Sequence, residues 1–277
     1  MTWRLSDADW NHWPNGLDDA ALWEACRASG VDGVELGVYR VGEQLTAQRL
    51  ERVTGLATAS GIPVRGLLLS LPVDRWPHGA LTGAAAEVAA EVEGVARAAA
   101  LFGLDTIGVW PGADPLDADP FAVVEGTRLA VQAAAAYGVR IAIEYKPDTA
   151  VPDAAAALAL CAAVPGVGVL VDTGHAYALE EDPAEVIRRV AGRGLLWHLH
   201  LGDAQPGGAD DDLPVGRHHA AAPVVAALAD VGYAGDAALD LYGAVVDGAM
   251  TGRQAVLESI RALRPPGASG PAMEARP

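Results

Sequence analysis

Eight short apolar runs, each followed by an amphipathic stretch, predict an α/β fold, a single (β/α)8 TIM barrel. Three observations carry this expectation. The strand–helix unit recurs about every 30 residues, the spacing of a parallel sheet with helical crossovers. Seven helix-like stretches are followed by a glycine, at Gly30, Gly61, Gly103, Gly138, Gly166, Gly194 and Gly232, where a left-handed cap residue is expected. The chain has 277 residues, 51% hydrophobic and 20% charged, enough for one large core. A doubly wound open sheet is the alternative, but no strand is followed by a Gly-x-Gly-x-x-Gly turn.

Taken in order, the first strand, residues 3–5, is the weakest, because polar residues follow it at once. The helix at 18–29 leads to the second strand, 31–36 (VDGVEL), and then to the helix at 46–60. The third strand, 63–69, ends in a leucine run and precedes an alanine-rich helix at 83–102. The fourth, 106–110 (TIGVW), precedes the helix at 120–137, and the fifth, 139–144 (VRIAIE), the helix at 153–164. The sixth, 168–172 (GVLVD), is followed by the helix at 183–191, and the seventh, 195–201 (LLWHLHL), by the helix at 220–231. The eighth strand, 237–241, precedes a last helix at 252–263. No linker divides the chain, so residues 1–264 are expected to be one barrel domain. The Pro/Gly-rich residues 265–277 are expected to be a mobile C-terminal tail.

Composition narrows the partners. The formal net charge is −17, from 19 basic and 36 acidic residues, which argues against nucleic acid. No stretch reads as a membrane span, so no membrane association is expected. The start, MTWRLSDADW, lacks the basic-then-apolar pattern of a secretion signal, and Cys26 and Cys161 read as reduced core thiols, so a cytoplasmic protein is expected.

Polar residues stand where apolar strands end. Glu144 closes the fifth strand in RIAIEYKP, and Asp172 closes the sixth, with His175 beyond it. His198 and His200 lie on the seventh, followed by Asp203, and Asp240 lies on the eighth. Singly, a strand-end acid is most often a cap for the next helix, and a histidine there a satisfied core residue. In a barrel, however, strands five to eight are consecutive, and Glu144, Asp172, His200 and Asp240 would converge at the C-terminal mouth. Three carboxylates gathered without a cation would repel one another and rise in pKa. One imidazole and three carboxylates suit one divalent metal ion, Mn²⁺, Mg²⁺, Co²⁺ or Zn²⁺.

The stretches IEYKP, VDTGHA, HLHLGD and LPVG resemble those of the xylose-isomerase-like TIM barrel superfamily of sugar isomerases and epimerases, which is related in fold to endonuclease IV. The resemblance spans about residues 1–264 and is specific over 140–243. It implies a metal held by Glu144, Asp172, His200 and Asp240, with Mn²⁺ favoured. It places His175 at the substrate or a second metal, and it likens DGVEL to a strand-two element in which Glu35 points toward the site or bonds to its neighbours. Two departures stand out. Asp240 replaces the glutamate usual on strand eight and is one methylene shorter, and the family's Pro-Gly-x-Gly loop reads Pro214-Val215-Gly216-Arg217-His218, which would let Arg217 or His218 reach substrate. Most of the extra ligands of endonuclease IV's three-metal site are missing, leaving only His175 and Asp210 to Asp212 as candidates.

Lys146, the only lysine, follows Glu144 by two residues, so both would point to one side of an extended strand. Lys146 could merely pair with Glu144 or Asp172. The stretch Glu-x-Lys-Pro, however, resembles that of aldose–ketose isomerases, where lysine polarises a substrate oxygen during a metal-assisted hydride shift. The expected function is therefore a divalent-metal-dependent isomerase or epimerase of a small, unphosphorylated sugar, a ketose or related polyol. Glu144, Lys146 and Asp240 would be its catalytic residues, by hydride shift or by enediolate proton transfer. Trp110, at the end of strand four, is placed for a sugar face; Trp76 and His78 follow strand three and could close over the mouth, Trp10, His12 and Trp13 follow strand one, and the loop tryptophans would suit either stacking on a carbohydrate or a contact between subunits of a homo-oligomer. Lyase or dehydratase chemistry on a keto-polyol or a glycoside stays open for the same site, and so does a non-catalytic sugar-binding barrel.

Overall fold

The computed structural model describes residues 2–70, 81, 85–112, 119–206 and 210–264. Eight parallel strands close into a barrel in sequence order: β1 (Arg4–Ala8), β2 (Gly33–Val38), β3 (Val64–Ser70), β4 (Thr106–Trp110), β5 (Arg140–Glu144), β6 (Val167–Asp172), β7 (Leu196–Leu201) and β8 (Asp236–Leu239). Eight outer helices cover it: α1 (Asp19–Ser29), α2 (Ala47–Ser60), α3 (Ala85–Phe102), α4 (Pro120–Ala135), α5 (Ala154–Ala163), α6 (Pro183–Ala191), α7 (Ala222–Asp230) and α8 (Gly252–Leu263). The fold is the expected single (β/α)8 barrel. All seven anticipated cap glycines have positive φ, from 65° to 93°. Cys26 and Cys161 are free and buried, and no described helix is long and apolar enough to cross a membrane.

Strand bounds shift by up to three residues, β2 for example lying two residues later than expected, and two of these shifts bear on the site. β1 begins one residue later than expected and continues through Ser6, Asp7 and Ala8. The polar residues that seemed to end it are accommodated: Asp7 is fully buried and binds Asn11 and His12. β8 stops at Leu239, and Asp240 lies one residue beyond it, its N–H donating to the carbonyl of Leu201. Short helical turns at Asp9–Asn15, Val41–Gln44, Thr173–Ala178 and Tyr242–Val246 were not anticipated; the first and third directly follow a strand end, and the other two begin three residues beyond one.

The larger core lies between strands and helices and includes Leu5, Trp23, Leu36, Leu67 and Tyr145. The core inside the barrel is small, Ala8, Trp10, Leu68, Ala142 and Leu170. Glycine on the strands is the reason. A Cβ at Gly66 would meet the Glu35 carboxyl at 2.5 Å, and one at Gly168 would meet the Trp197 ring at 2.1 Å. The missing side chains leave room for a buried carboxylate below the C-terminal mouth.

Candidate metal centre and cavity

Register brings the polar strand ends together. Asp172 pairs directly with His200 across β6 and β7, and His200 with Ala238 across β7 and β8. Asp240, two residues past Ala238, returns to the same face. Glu144, Asp172, His200 and Asp240 each present one donor atom, all within 4.8 Å of one another. His200 is fully buried; its Nδ1 lies 2.9 Å from Glu144 Oε1, 3.7 Å from Asp172 Oδ2 and 3.8 Å from Asp240 Oδ2. Asp172 divides its work. Oδ1 caps the turn at Thr173–Ala178, accepting from the N–H groups of Gly174 (2.6 Å) and His175 (3.2 Å). Oδ2 is buried with no hydrogen-bond partner. An orphaned carboxylate oxygen facing an imidazole nitrogen and two more carboxylates is a donor set that fits a divalent cation.

A cavity of about 150 Å³ opens above these donors. Glu144, Lys146, His175, Asp212 and Asp240 supply its polar wall, and Trp10, Tyr39, Leu68, Trp110 and Tyr242 its apolar one. Lys146 is hydrogen-bonded to Asp210, and its Nζ lies 2.9 Å from His175 Nε2. His175 Nδ1 lies 2.9 Å from the carbonyl of Tyr145. A carbonyl can only accept, so Nδ1 carries the proton and Nε2 accepts from the ammonium. His175 therefore braces Lys146 against the cavity wall.

The remaining expected site residues lie elsewhere. Glu35 does not reach the cavity. It is fully buried beneath the mouth, 2.7 Å from His198 Nε2 and 3.4 Å from His200 Nε2, the second of the two arrangements its sequence context suggested. Arg217 is turned away; it pairs with Glu258 at 3.3 Å and is not among the cavity-lining residues. The N–H of His218 is held by Asp203. His12 is buried against Asp7 at 2.9 Å. Trp76, His78 and the tail at 265–277 lie outside the described residues.

Residues 23–265 match the family model for the xylose isomerase-like TIM barrel. The chain belongs to that family. No curated protein matches it by sequence. Among solved structures of this barrel, the D-allulose 3-epimerase from Methylomonas sp. superposes with a TM-score of 0.74 at 12% identity, over 94% of this chain and 96% of that one. The 3-keto-D-glucoside 4-epimerase from E. coli gives 0.71 at 18%, over 95% and 99%. The IOLI protein, solved with a zinc atom, gives 0.72 at 18%, over 94% and 96%. At these identities the likeness is one of fold.

Electrostatics separates this xylose isomerase-like barrel from a plain structural cluster. Five carboxylates, those of Glu144, Asp172, Asp210, Asp212 and Asp240, gather around a single ammonium, Lys146. Burial, then Asp172, pushes Asp240 up to about 6. Burial, then Asp240, pushes Asp212 well above the carboxylate range. Burial opposes charge on His200, but Glu144 and Glu35 outweigh it and raise the imidazole well above its ordinary value. Burial likewise opposes charge on Lys146, yet Asp212 and Asp210 raise it, so it stays an ammonium. The proton held by His200 stands where a cation would otherwise balance the charge.

Sequence reasoning did not single out Tyr39, Ser70 or Tyr242 as cavity residues, and it named Asp212 only as a spare metal ligand. Asp212 carried one further signal that only coordinates show, a non-glycine φ of 41°.

Proposed function

We propose that this chain is a divalent-metal-dependent isomerase or epimerase of a small, unphosphorylated sugar, a ketose or a related polyol. The observation that carries the reading is the convergence of Glu144, Asp172, His200 and Asp240 within 4.8 Å at the floor of a cavity that Lys146 also lines. Those four residues would hold the metal, with Mn²⁺ the favoured ion. When bound, the cation supplies Lewis acidity toward a substrate oxygen. Lys146, fixed by His175 and Asp210, presents a permanent positive charge where negative charge develops on the sugar. Trp10, Trp110 and Tyr242 offer aromatic surface for C–H faces, and Trp110 Nε1, buried and unpartnered, is a spare donor for a hydroxyl. Among the described residues no arginine lines the cavity, which favours a substrate without phosphate. Glu144 and Asp240 would be the carboxylates that move a proton if the reaction runs through an enediolate.

The test is metal analysis of purified protein, followed by incubation of Mn²⁺-loaded enzyme with a panel of ketoses in D₂O. One ion per chain, lost in D172A, with sugar interconversion seen by NMR, supports the reading. Deuterium in the product indicates proton transfer, and its absence indicates hydride shift. Tight sugar binding without turnover, unaffected by D172A, would instead make this a binding protein.

A further inference from the structure

Strand eight offers an aspartate where reach matters, and the turn after β1 grips it from two sides. The Trp10 indole N–H donates to Asp240 Oδ1 at 2.8 Å, leaving Oδ2 turned toward His200 Nδ1 at 3.8 Å. Beside it, Asn11 Nδ2 donates to the carbonyl of Leu239 (2.8 Å), and Asn11 Oδ1 accepts from the N–H of Leu241 (2.9 Å). Consecutive residues thus fix both the side chain of Asp240 and the backbone on either side of it. Trp10 is itself held: it is 4% exposed, its ring lies 5.7 Å from that of His200, and a Cβ at Gly37 would meet the ring at 2.8 Å.

We propose that Trp10 is a positioning residue that fixes Asp240 as a one-oxygen metal ligand by occupying its other oxygen. The inference rests on the metal reading above. A short carboxylate just past a strand end has freedom about χ1 and χ2 and can present either oxygen, or both, to an ion. The indole removes that freedom. Groups that orient a ligand in this way commonly change metal affinity 10- to 100-fold.

The experiment is calorimetric titration of metal-stripped protein with MnCl₂, on wild type, W10F, D240A and W10F/D240A, with thermal melts of each as the folding control. Phenylalanine keeps an aromatic ring against His200 and deletes the donor. The expected result is one Mn²⁺ site in wild type, bound about tenfold more weakly in W10F, with no further loss when W10F is added to D240A. Equal affinity in wild type and W10F, or an additive loss in the double variant, overturns the proposal while leaving the metal site standing. Absence of Mn²⁺ binding by wild type overturns both. If W10F does not fold, ¹⁵N-indole spectra decide. One indole proton should exchange slowly in wild type, more slowly with Zn²⁺, and fast in D240A; an indole set that D240A leaves unchanged rejects the contact.

Discussion

His200 and Glu35 form a contact that runs downward from the mouth of the barrel: His200 Nε2 lies 3.4 Å from Glu35 Oε1, while Nδ1 faces the three strand-end carboxylates. One ring nitrogen is thereby reserved for the cavity floor and the other for a buried anion, which is the arrangement that orients a ligating imidazole. Glu35 also holds His198 at 2.7 Å, and these partners keep its carboxyl well below the usual range despite complete burial. E35Q preserves shape and removes the charge. It should bind Mn²⁺ about tenfold more weakly than wild type, read by calorimetry. Unchanged affinity would make Glu35 a packing residue.

Metal binding should strengthen as pH rises. Asp240 sits at about 6 in the folded chain, above its ordinary 3.8. Its contribution to stability is therefore present below about 4 and lost as pH rises through 6. His200 is held well above 6.5, so its contribution is present below 6.5 and lost as pH rises through the higher folded value. Both protons must leave for a cation to bind. The rise in melting temperature produced by 1 mM MnCl₂ should be clearly larger at pH 7.5 than at pH 5.5. An equal or larger rise at pH 5.5 counts against ligation by these groups.

Much of this was legible in the sequence, for identifiable reasons. The barrel followed from repetition: eight apolar runs at even spacing leave few topologies, and a glycine after each of seven helices marks where a chain must turn left-handed. Glu144, Asp172, His200 and Asp240 could be picked out because charge at the end of an apolar strand is costly without a partner. Glu35 and Arg217 were placed less well. The partners that decide their direction, His198 and Glu258, are 163 and 41 residues away in the chain, and no local pattern reports them. The turn at Asp9–Asn15 was invisible for a related reason: its stability comes from Asp7, Leu239 and Leu241 rather than from helical periodicity.

Asn11 should be a stability residue far out of proportion to its size. Its fully buried amide serves Asp7, the carbonyl of Leu239 and the N–H of Leu241 at once. N11A removes the amide from the buried carbonyl of Leu239 and N–H of Leu241, each worth about 1–3 kcal/mol in lost solvation, while Asp7 keeps His12. Because the site can relax in part, a net loss of about 2–4 kcal/mol is expected from urea denaturation. A loss under about 0.5 kcal/mol would mean that water replaces the amide.

Lys146 separates binding of the metal from use of it. Its ammonium lines the cavity but is not one of the four converging donors, and it is already neutralised in part by Asp210. K146M keeps the length of the side chain and removes the charge. If the ammonium stabilises charge developing on the sugar, kcat should fall about 10²- to 10³-fold with the best ketose of the panel, as when a preorganised donor is removed elsewhere. KM should change much less, because the interaction is stronger in the transition state than in the ground state. Mn²⁺ affinity should stay within about threefold of wild type or rise, since a positive charge beside the site has been deleted. K146R restores charge but not the compact ammonium held between His175 and Asp210, so little activity should return. A K146M enzyme with unchanged kcat would reduce Lys146 to a partner for Asp210 and leave the metal alone to polarise the substrate.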